Sequence, residues 1–265
     1  MTTPLALRYE AAHPIFRVEL EQAAFNHGYR KSNGIADGWF YFKSDESVPG
    51  EVGLASGTGP EGAPWFLAVE HAGVAAKLRV EMAGNVVEPP PGIFKAAFAF
   101  ETQAELRLAI SRVYQLACSL PSFPFVQFEA EVGQLGDTEV ERIVRERIGQ
   151  GYFRVALEQY WNGCCPLTGI RQRELLRASH IVPWSKCRSD EERLDVYNGL
   201  LLSAHWDAAF DRGLVSFDNG GMPLLKSGLD SLVVDLLKPD EVKPLPLENP
   251  HQLQLEWHRR HFEFD

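Results

Sequence analysis

The stretch CCPLTGIRQRELLRASHIVPWSKCRSDEERLDVYNGLLLSAHWDAAFDRGLVSFDNGG, residues 164–221, carries most of the information about fold and chemistry in this 265-residue sequence. His180 stands at the end of a predicted strand, and Asn198 precedes the apolar run G-L-L-L. Asp207 and Asp211 follow, four residues apart, so a helix here places both carboxylates on one face, about one turn apart. Two such oxygen ligands can approach one divalent cation, which predicts a metal site.

Each of these residues also has a purely structural interpretation. A histidine before Ile-Val-Pro can be a buried side chain with a backbone partner, Asn198 can be a turn residue, and the two aspartates can face solvent. Together, however, they form an ordered series of His, Asn and acid, with steps of 18 and then 9 residues. The series, and not any single residue, points to a shared site.

The series and the motifs A-S-H-I-V-P-W, N-G-L-L-L and F-D-R-G-L resemble the HNH endonucleases, in the branch often seen in bacterial restriction and defence proteins. The resemblance covers roughly residues 140–264. It implies the ββα-metal fold, in which a β-hairpin and a helix surround one divalent cation. The implied activity is metal-dependent hydrolysis of DNA phosphodiester bonds.

The resemblance also implies roles for individual residues. His180 matches the general base that takes a proton from the attacking water, and Asn198 matches the residue whose amide holds the loop and orients that base. Asp207 and Asp211 match metal ligands, and His205 is a rival ligand. The acidic ligands imply Mg²⁺ or Mn²⁺ rather than Zn²⁺.

Three features depart from the commoner family pattern, the first being Asp207 in the place of the family's usual final histidine or asparagine. Ser179 stands where many relatives have an Asp or His ligand, so water is expected to take a larger share of the metal coordination. Many relatives also bind a structural zinc through two C-x-x-C pairs. The corresponding positions here are Cys165, Thr168, Ser203 and Trp206, so no structural zinc is expected.

A short basic run precedes the histidine motif and has two interpretations. Arg171, Arg173 and Arg177 either contact DNA phosphates or form a solvated face. The net charge of −10 argues against a nucleic-acid partner, but residues 140–215 hold 11 basic and 10 acidic residues, so the excess acid lies elsewhere. Double-stranded DNA remains the expected partner, because a bound cation adds positive charge at the site.

The region before the motif is predicted to be rich in strands. Residues 39–43, 65–70 and the alternating 77–82 have the composition of strands and are separated by loops rich in Gly and Pro. Thr102 and Glu105 have the spacing of a capping box and are followed by apolar residues at helical spacing. A helix is therefore predicted to follow Thr102.

Further helices are predicted on both sides of the motif. Asp137 and Thr138 are expected to cap a helix over residues 139–148, and two glycines separate it from a second predicted helix over 153–161. A last helix is predicted over 249–261, opened by Asn-Pro.

A domain boundary is predicted near residue 136, which gives an α+β protein of two domains. Residues 137–265 are expected to form the HNH nuclease domain, with its core at 164–221. Residues 1–136 are expected to form a mixed or β-rich domain that reads the DNA target, by analogy with the domain order of such nucleases. Its aromatic residues either line a pocket for an extruded, modified base or form the core of the domain.

Composition excludes several classes of protein. The chain is 45% apolar and 23% charged, and no apolar run approaches the roughly 20 residues of a membrane helix. The start of the sequence has no basic segment followed by an apolar one, so a cytoplasmic location is expected. The four cysteines, two of them adjacent, make a poor disulfide framework.

Three functions remain open at this stage. The leading one is a restriction-type endonuclease, which would act as a homodimer to cut both strands. The alternatives are an HNH-fold module that binds DNA without cleaving it, and a defence nuclease activated by a ligand.

Overall fold

The computed structural model describes residues 14–57, 64–133, 135–136 and 138–264. It divides into two compact units, Met1–Cys118 and Ser119–Asp265. The predicted α+β class is confirmed, with an antiparallel sheet and helices in the first unit and ββα elements in the second. None of the helices among these residues combines the length and apolar composition needed to cross a membrane.

The first unit is built on an antiparallel sheet with the strand order β1-β2-β3-β4-β6-β5. The strands are β1 (Lys31–Ala36), β2 (Trp39–Lys43), β3 (Val52–Ser56), β4 (Trp65–Val69), β5 (Val86–Val87) and β6 (Ala96–Phe100). The helices of this unit are α1 (Pro14–Asn26), α2 (Ala72–Glu81) and α3 (Gln103–Ser119). The strands predicted over 39–43 and 65–70 are confirmed by β2 and β4, and the capping box of Thr102 and Glu105 opens α3.

The strand predicted over residues 77–82 is wrong, because most of this segment belongs to α2. His71 caps this helix by accepting a hydrogen bond from the Val74 amide through Nδ1, at 3.3 Å. Val74 and Leu78 are buried four residues apart on one face, which is the helical period rather than the strand period. The alternation of charged and apolar residues was therefore not a strand signal.

Most aromatic residues of the first unit belong to its core. Trp39, Phe66 and Phe94 pack together with small residues on one face of the sheet, and each is at most 8% exposed. Tyr41 stacks on Phe94 with ring centroids 5.2 Å apart. This favours the core interpretation for these side chains.

The second unit surrounds a hairpin of β7 (Leu176–His180) and β8 (Gly199–Ser203). Its remaining elements are α4 (Phe123–Val132), α5 (Glu139–Tyr160), α6 (Asp190–Leu194), α7 (Ala204–Asp211), β9 (Val215–Phe217), β10 (Pro223–Leu225), α8 (Ser231–Leu237) and α9 (Asn249–His261). The helix predicted over 249–261 is confirmed by α9.

The long helix α5 corrects the prediction of two helices separated by glycines. Thr138 and Glu141 form a capping box at its start, whereas Asp137 lies outside the described residues. The helix continues through both glycines, and Gly149 packs against the ring of Trp184, where a larger side chain would not fit. It then buries a continuous apolar face that includes Phe153.

Helix α4 packs on α5 within the second unit. Tyr152 donates a hydrogen bond to Glu131 at 2.7 Å, and Arg145 forms an ion pair with Glu129 at 2.6 Å. The division between the units, after Cys118, accordingly lies before α4, whereas the sequence placed the boundary near residue 136.

Candidate active site

The β7–β8 hairpin lies between two helices and presents a different chemistry to each. Both α5 and α7 contact both strands. Successive side chains of a strand point to opposite faces of the sheet. Ser179 accordingly meets α7, where its hydroxyl donates a hydrogen bond to Asp207 Oδ1, and His180 meets α5, where its ring stacks on Phe153.

His180 is enclosed by aromatic rings. Its ring centroid lies 3.7 Å from that of Phe153, with 13° between the planes, and 5.7 Å from that of Trp184, to which its ring is nearly perpendicular. Burial among these rings lowers the pKa of His180 to about 4, so the imidazole is neutral at pH 7. The backbone carbonyl of Arg193 and its guanidinium have opposite, smaller effects.

The hydrogen bond of His180 defines its tautomer. Nε2 lies 2.9 Å from the carbonyl oxygen of Arg193. A carbonyl only accepts, so Nε2 carries the hydrogen and the lone pair that can take a proton is on Nδ1. A neutral imidazole oriented in this way has the protonation state of a general base.

Asn198 is fully buried and links the end of β7 to the loop that follows. Its Oδ1 accepts from the Val182 amide at 2.8 Å, and its Nδ2 lies 3.2 Å from the carbonyl oxygens of both Val182 and Glu192. The side chain thus fixes the backbone on both sides of the loop that holds His180 and Arg193. Such a contact is what a residue that orients the base must make.

The other face of the hairpin carries side chains with oxygen atoms that could bind a cation. Asp207 and Asp211 lie one turn apart on α7, and the hydroxyl of Ser179 is bonded to Asp207. Partial desolvation and then the negative charge of Asp207 raise the pKa of Asp211 to about 6, while Arg212 opposes the shift. Two carboxylates whose charges repel each other favour a cation bound nearby.

The structure does not bring His205 to these carboxylates. Since an α-helix turns about 100° per residue, His205 lies about 200° around α7 from Asp207. It instead lines a separate cavity of about 460 Å³ together with Cys164, Leu167 and Leu236. Burial lowers the pKa of His205.

The arginines of the basic run before the hairpin differ in the charge of their hydrogen-bond partners. Arg173 pairs with Glu158 of α5 at 3.0 Å, and this carboxylate raises the pKa of the guanidinium. Arg177 donates to the carbonyls of Glu174 and Leu176, and Arg171 donates to a carbonyl as well, so their partners carry no charge. Arg171 and Arg177 are the better candidates for phosphate contact.

Two of the positions that correspond to the family's zinc ligands lie close together. Cys165 Sγ lies 3.8 Å from Ser203 Oγ, and both residues are buried. Trp206 is also buried and stacks with Phe217 in the core under α7. This corner of the unit is packed with one thiol, one hydroxyl and an indole ring.

The residues that surround His180 were not predicted from the sequence. Phe153 comes from α5, 27 residues earlier in the chain, and Arg193 contributes only a backbone carbonyl, which leaves no trace in the residue type. A helical face of α5 that carries Gly149 and Phe153 one turn apart was the available signal, because a glycine inside a helix often marks close packing.

Comparison with known proteins identifies part of this unit. Residues 165–218, which hold the hairpin, α7 and β9, match the family model of HNH endonucleases. This segment is an HNH endonuclease domain, and such a domain implies a phosphodiester hydrolase with a nucleic-acid substrate. The match includes neither the first unit nor α5 and α9. No curated protein matches the chain.

HNH nucleases typically use a divalent metal, and the α7 face fits one. The described residues contain no cluster of three or more His, Cys, Asp or Glu side chains arranged to hold a metal ion. Asp207, Asp211 and the Ser179 hydroxyl nevertheless supply three hard oxygen donors on one face. Mg²⁺ is commonly held by one or two carboxylates and several waters, so this donor set suits Mg²⁺ or Mn²⁺.

Proposed function

We propose that the second unit is a metal-dependent DNA endonuclease whose cation is held by Asp207 and Asp211. The observation that carries this proposal is the hydrogen bond that joins Asp207 to Ser179 of β7, with Asp211 one helical turn further along α7, within a segment that matches the HNH family. The Ser179 hydroxyl orients Asp207 through their hydrogen bond. When bound, the cation would stabilise negative charge that develops on the phosphate. His205 is left out of the ligand set because it lines the separate cavity.

His180 acts in this proposal as the general base, through Nδ1. It is neutral at pH 7, and Phe153 and the Arg193 carbonyl hold its ring in one orientation. His180 is the last residue of β7. The phosphodiester would therefore lie across the end of the strand, where a substrate can reach groups from both faces of the hairpin.

The first unit is proposed to select the DNA target, in a restriction-type enzyme that acts as a homodimer when it cuts both strands. Its support is the organisation of the chain: the first unit has its own sheet and core, and the family match lies outside it. An HNH domain contacts mainly the DNA backbone, so sequence or base modification must be read elsewhere.

A plasmid assay tests the nuclease. Wild type with Mg²⁺ or Mn²⁺ is expected to nick DNA, whereas His180→Ala is expected to be far slower. Equal cleavage by both proteins would remove His180 from catalysis. A panel of unmodified, 5-methylcytosine, hydroxymethylcytosine, glucosylated and N6-methyladenine DNA then tests target selection. Cleavage of all five substrates at the same rate would contradict the modification-dependent form of the proposal.

One observation favours a second candidate, a module that binds DNA without cleaving it. His180 and Asp207 interact with different faces of the hairpin. Measured DNA affinity, with no nicking of any of these substrates by the wild type in either metal, would support that candidate over the nuclease.

A further inference from the structure

A buried histidine on the last helix contacts the helix that carries the two carboxylates. His258 of α9 is 2% exposed and lies outside the segment that matches the HNH family. Its ring lies flat on the ring of Phe210, with centroids 3.9 Å apart and 1° between the planes. Phe210 precedes Asp211 directly, so this contact is made at the final turn of α7.

Both ring nitrogens of His258 are hydrogen-bonded. Nε2 lies 3.2 Å from the Phe210 carbonyl oxygen, and Nδ1 lies 3.0 Å from the Ser216 hydroxyl. The carbonyl only accepts, so Nε2 carries the hydrogen and Nδ1 accepts from Ser216. A single neutral tautomer satisfies both bonds, and burial lowers the pKa of His258 to about 4, which keeps the ring neutral.

The backbone that follows α7 is held by the same part of the chain. Gly213 has φ 64°, and a Cβ at this position would lie 2.1 Å from the ring of Phe262. Arg259 donates to the Phe217 carbonyl at 2.8 Å. The last carbonyls of a helix lack partners within it, and here the Phe210 carbonyl accepts from both Gly213 N and His258. The end of α7 is thus fixed by contacts from α9 and the residue after it.

We propose that His258 is a positioning residue, which fixes the last turn of α7 and so holds Asp207 and Asp211 at the spacing that a divalent cation requires. This inference rests on the proposed function, because it assumes that the two carboxylates bind the cation. Partners that orient metal ligands typically contribute about 10-fold to 100-fold in metal affinity. The His258 contact acts one step further out, through the backbone of the helix, so an effect of about tenfold is expected.

The test is the affinity for Mn²⁺, measured by calorimetry on the full chain well below the unfolding midpoint of each variant. His258→Phe keeps a ring on Phe210 but removes both hydrogen bonds, and it is expected to weaken Mn²⁺ binding about tenfold. His258→Gln keeps a donor for the Phe210 carbonyl and is expected to restore most of the affinity. His251→Phe is the matched control, because His251 is a buried histidine of α9 that packs on Tyr197. It is expected to lower the unfolding midpoint while leaving Mn²⁺ affinity within about twofold of wild type.

The outcomes separate this inference from the proposed function. If wild type binds no Mn²⁺, or if Asp207→Asn/Asp211→Asn binds it as tightly as wild type, the metal site itself is wrong and the role of His258 falls with it. If that double variant loses binding but His258→Phe binds like wild type, only the positioning role is overturned. Equal weakening in His251→Phe would also overturn it, because general destabilisation would then explain the effect.

Discussion

The two faces of the β7–β8 hairpin place neighbouring residues in opposite environments. On the α5 face, His180 lies among aromatic rings, and burial lowers its pKa to about 4. On the α7 face, Ser179 meets Asp207, and the second carboxylate one turn away has a raised pKa. The difference follows from strand alternation, which turns two adjacent side chains toward different helices.

Under the proposed function, this contrast separates two tasks within the second unit. The dry face keeps an imidazole neutral and in one tautomer, which a base needs, while the oxygen-rich face supplies the negative charge that a cation needs. If the faces act independently, changes on one face should leave the property of the other intact.

We expect the strongest changes in catalysis. Asp207→Asn/Asp211→Asn removes the charge of both carboxylates, and we expect loss of Mn²⁺ binding together with at least about a 100-fold fall in nicking rate.

His180→Gln is expected to slow nicking by about 10²-fold to 10⁴-fold, the usual contribution of a general base, with Mn²⁺ affinity unchanged. Calorimetry and a plasmid assay measure the two properties. If His180→Gln weakened Mn²⁺ binding as much as the aspartate changes do, the faces would not be independent.

A smaller effect is expected on the packing of the α5 face. At Gly149 a Cβ would lie 2.4 Å from the Trp184 ring, whereas nothing lies within 4 Å of a Cβ at Gly151 of the same helix. Gly149→Ala is therefore expected to lower the free energy of unfolding by about 1–3 kcal/mol, because the indole must move. Gly151→Ala is expected to raise it by up to about 1 kcal/mol through helix propensity.

Denaturant unfolding at pH 7 measures both glycine variants. If Gly149→Ala were as stable as Gly151→Ala, the contact between α5 and Trp184 would not be tightly packed. The packing of Trp184 and Phe153 around His180 would then be loose as well.

Much of the site is predictable because its signals are local. The hairpin, the helix with both aspartates on one face, and the asparagine before β8 follow from residues close together in the sequence. Period-two alternation in a strand is equally local, and it determines that Ser179 and His180 face different helices. The repeat of 3.6 residues per helical turn likewise predicts that His205 and Asp207 lie on different faces of α7.

Other features depend on packing between distant segments, and residue types alone do not encode them. His258 bonds to residues 42 and 48 positions earlier in the chain, and the Arg193 contact to His180 uses a backbone atom. The alternating segment 77–82 failed as a strand because burial of Val74 and Leu78 on a helical face outweighed a two-residue pattern. Gly149 is tolerated in α5 because the close approach of Trp184 compensates for its low helix propensity.

A pH series tests whether the α5 face is dry. In the unfolded chain His180 titrates near 6.5, and in the folded protein near 4. Between these values the unfolded state binds the proton and the folded state does not, so the folded state loses free energy relative to the unfolded state as the pH falls. The contribution of His180 to the free energy of unfolding is therefore fully present above about pH 6.5 and is lost as the pH falls toward 4. Denaturant unfolding between pH 7 and 4.5 should give a shallower loss for His180→Gln than for wild type, by at most one bound proton. If the free energy of unfolding fell equally with pH in the two proteins, His180 would be hydrated in the folded state.

A minor change is expected in the contacts between DNA and the start of the hairpin. Arg177 shares the strand face of Ser179, and its partners among the described residues are carbonyls, whereas Arg173 forms an ion pair with Glu158 of α5. Each cation that pairs with a DNA phosphate contributes about one to the slope of log affinity against log salt. Arg177→Ala is therefore expected to reduce that slope by about one, and Arg173→Ala to leave it nearly unchanged, in a salt titration of DNA binding. The reverse result would indicate that the DNA lies on the α5 side of the hairpin and not on the carboxylate side. The cation proposed at Asp207 and Asp211 would then be out of reach of the phosphate.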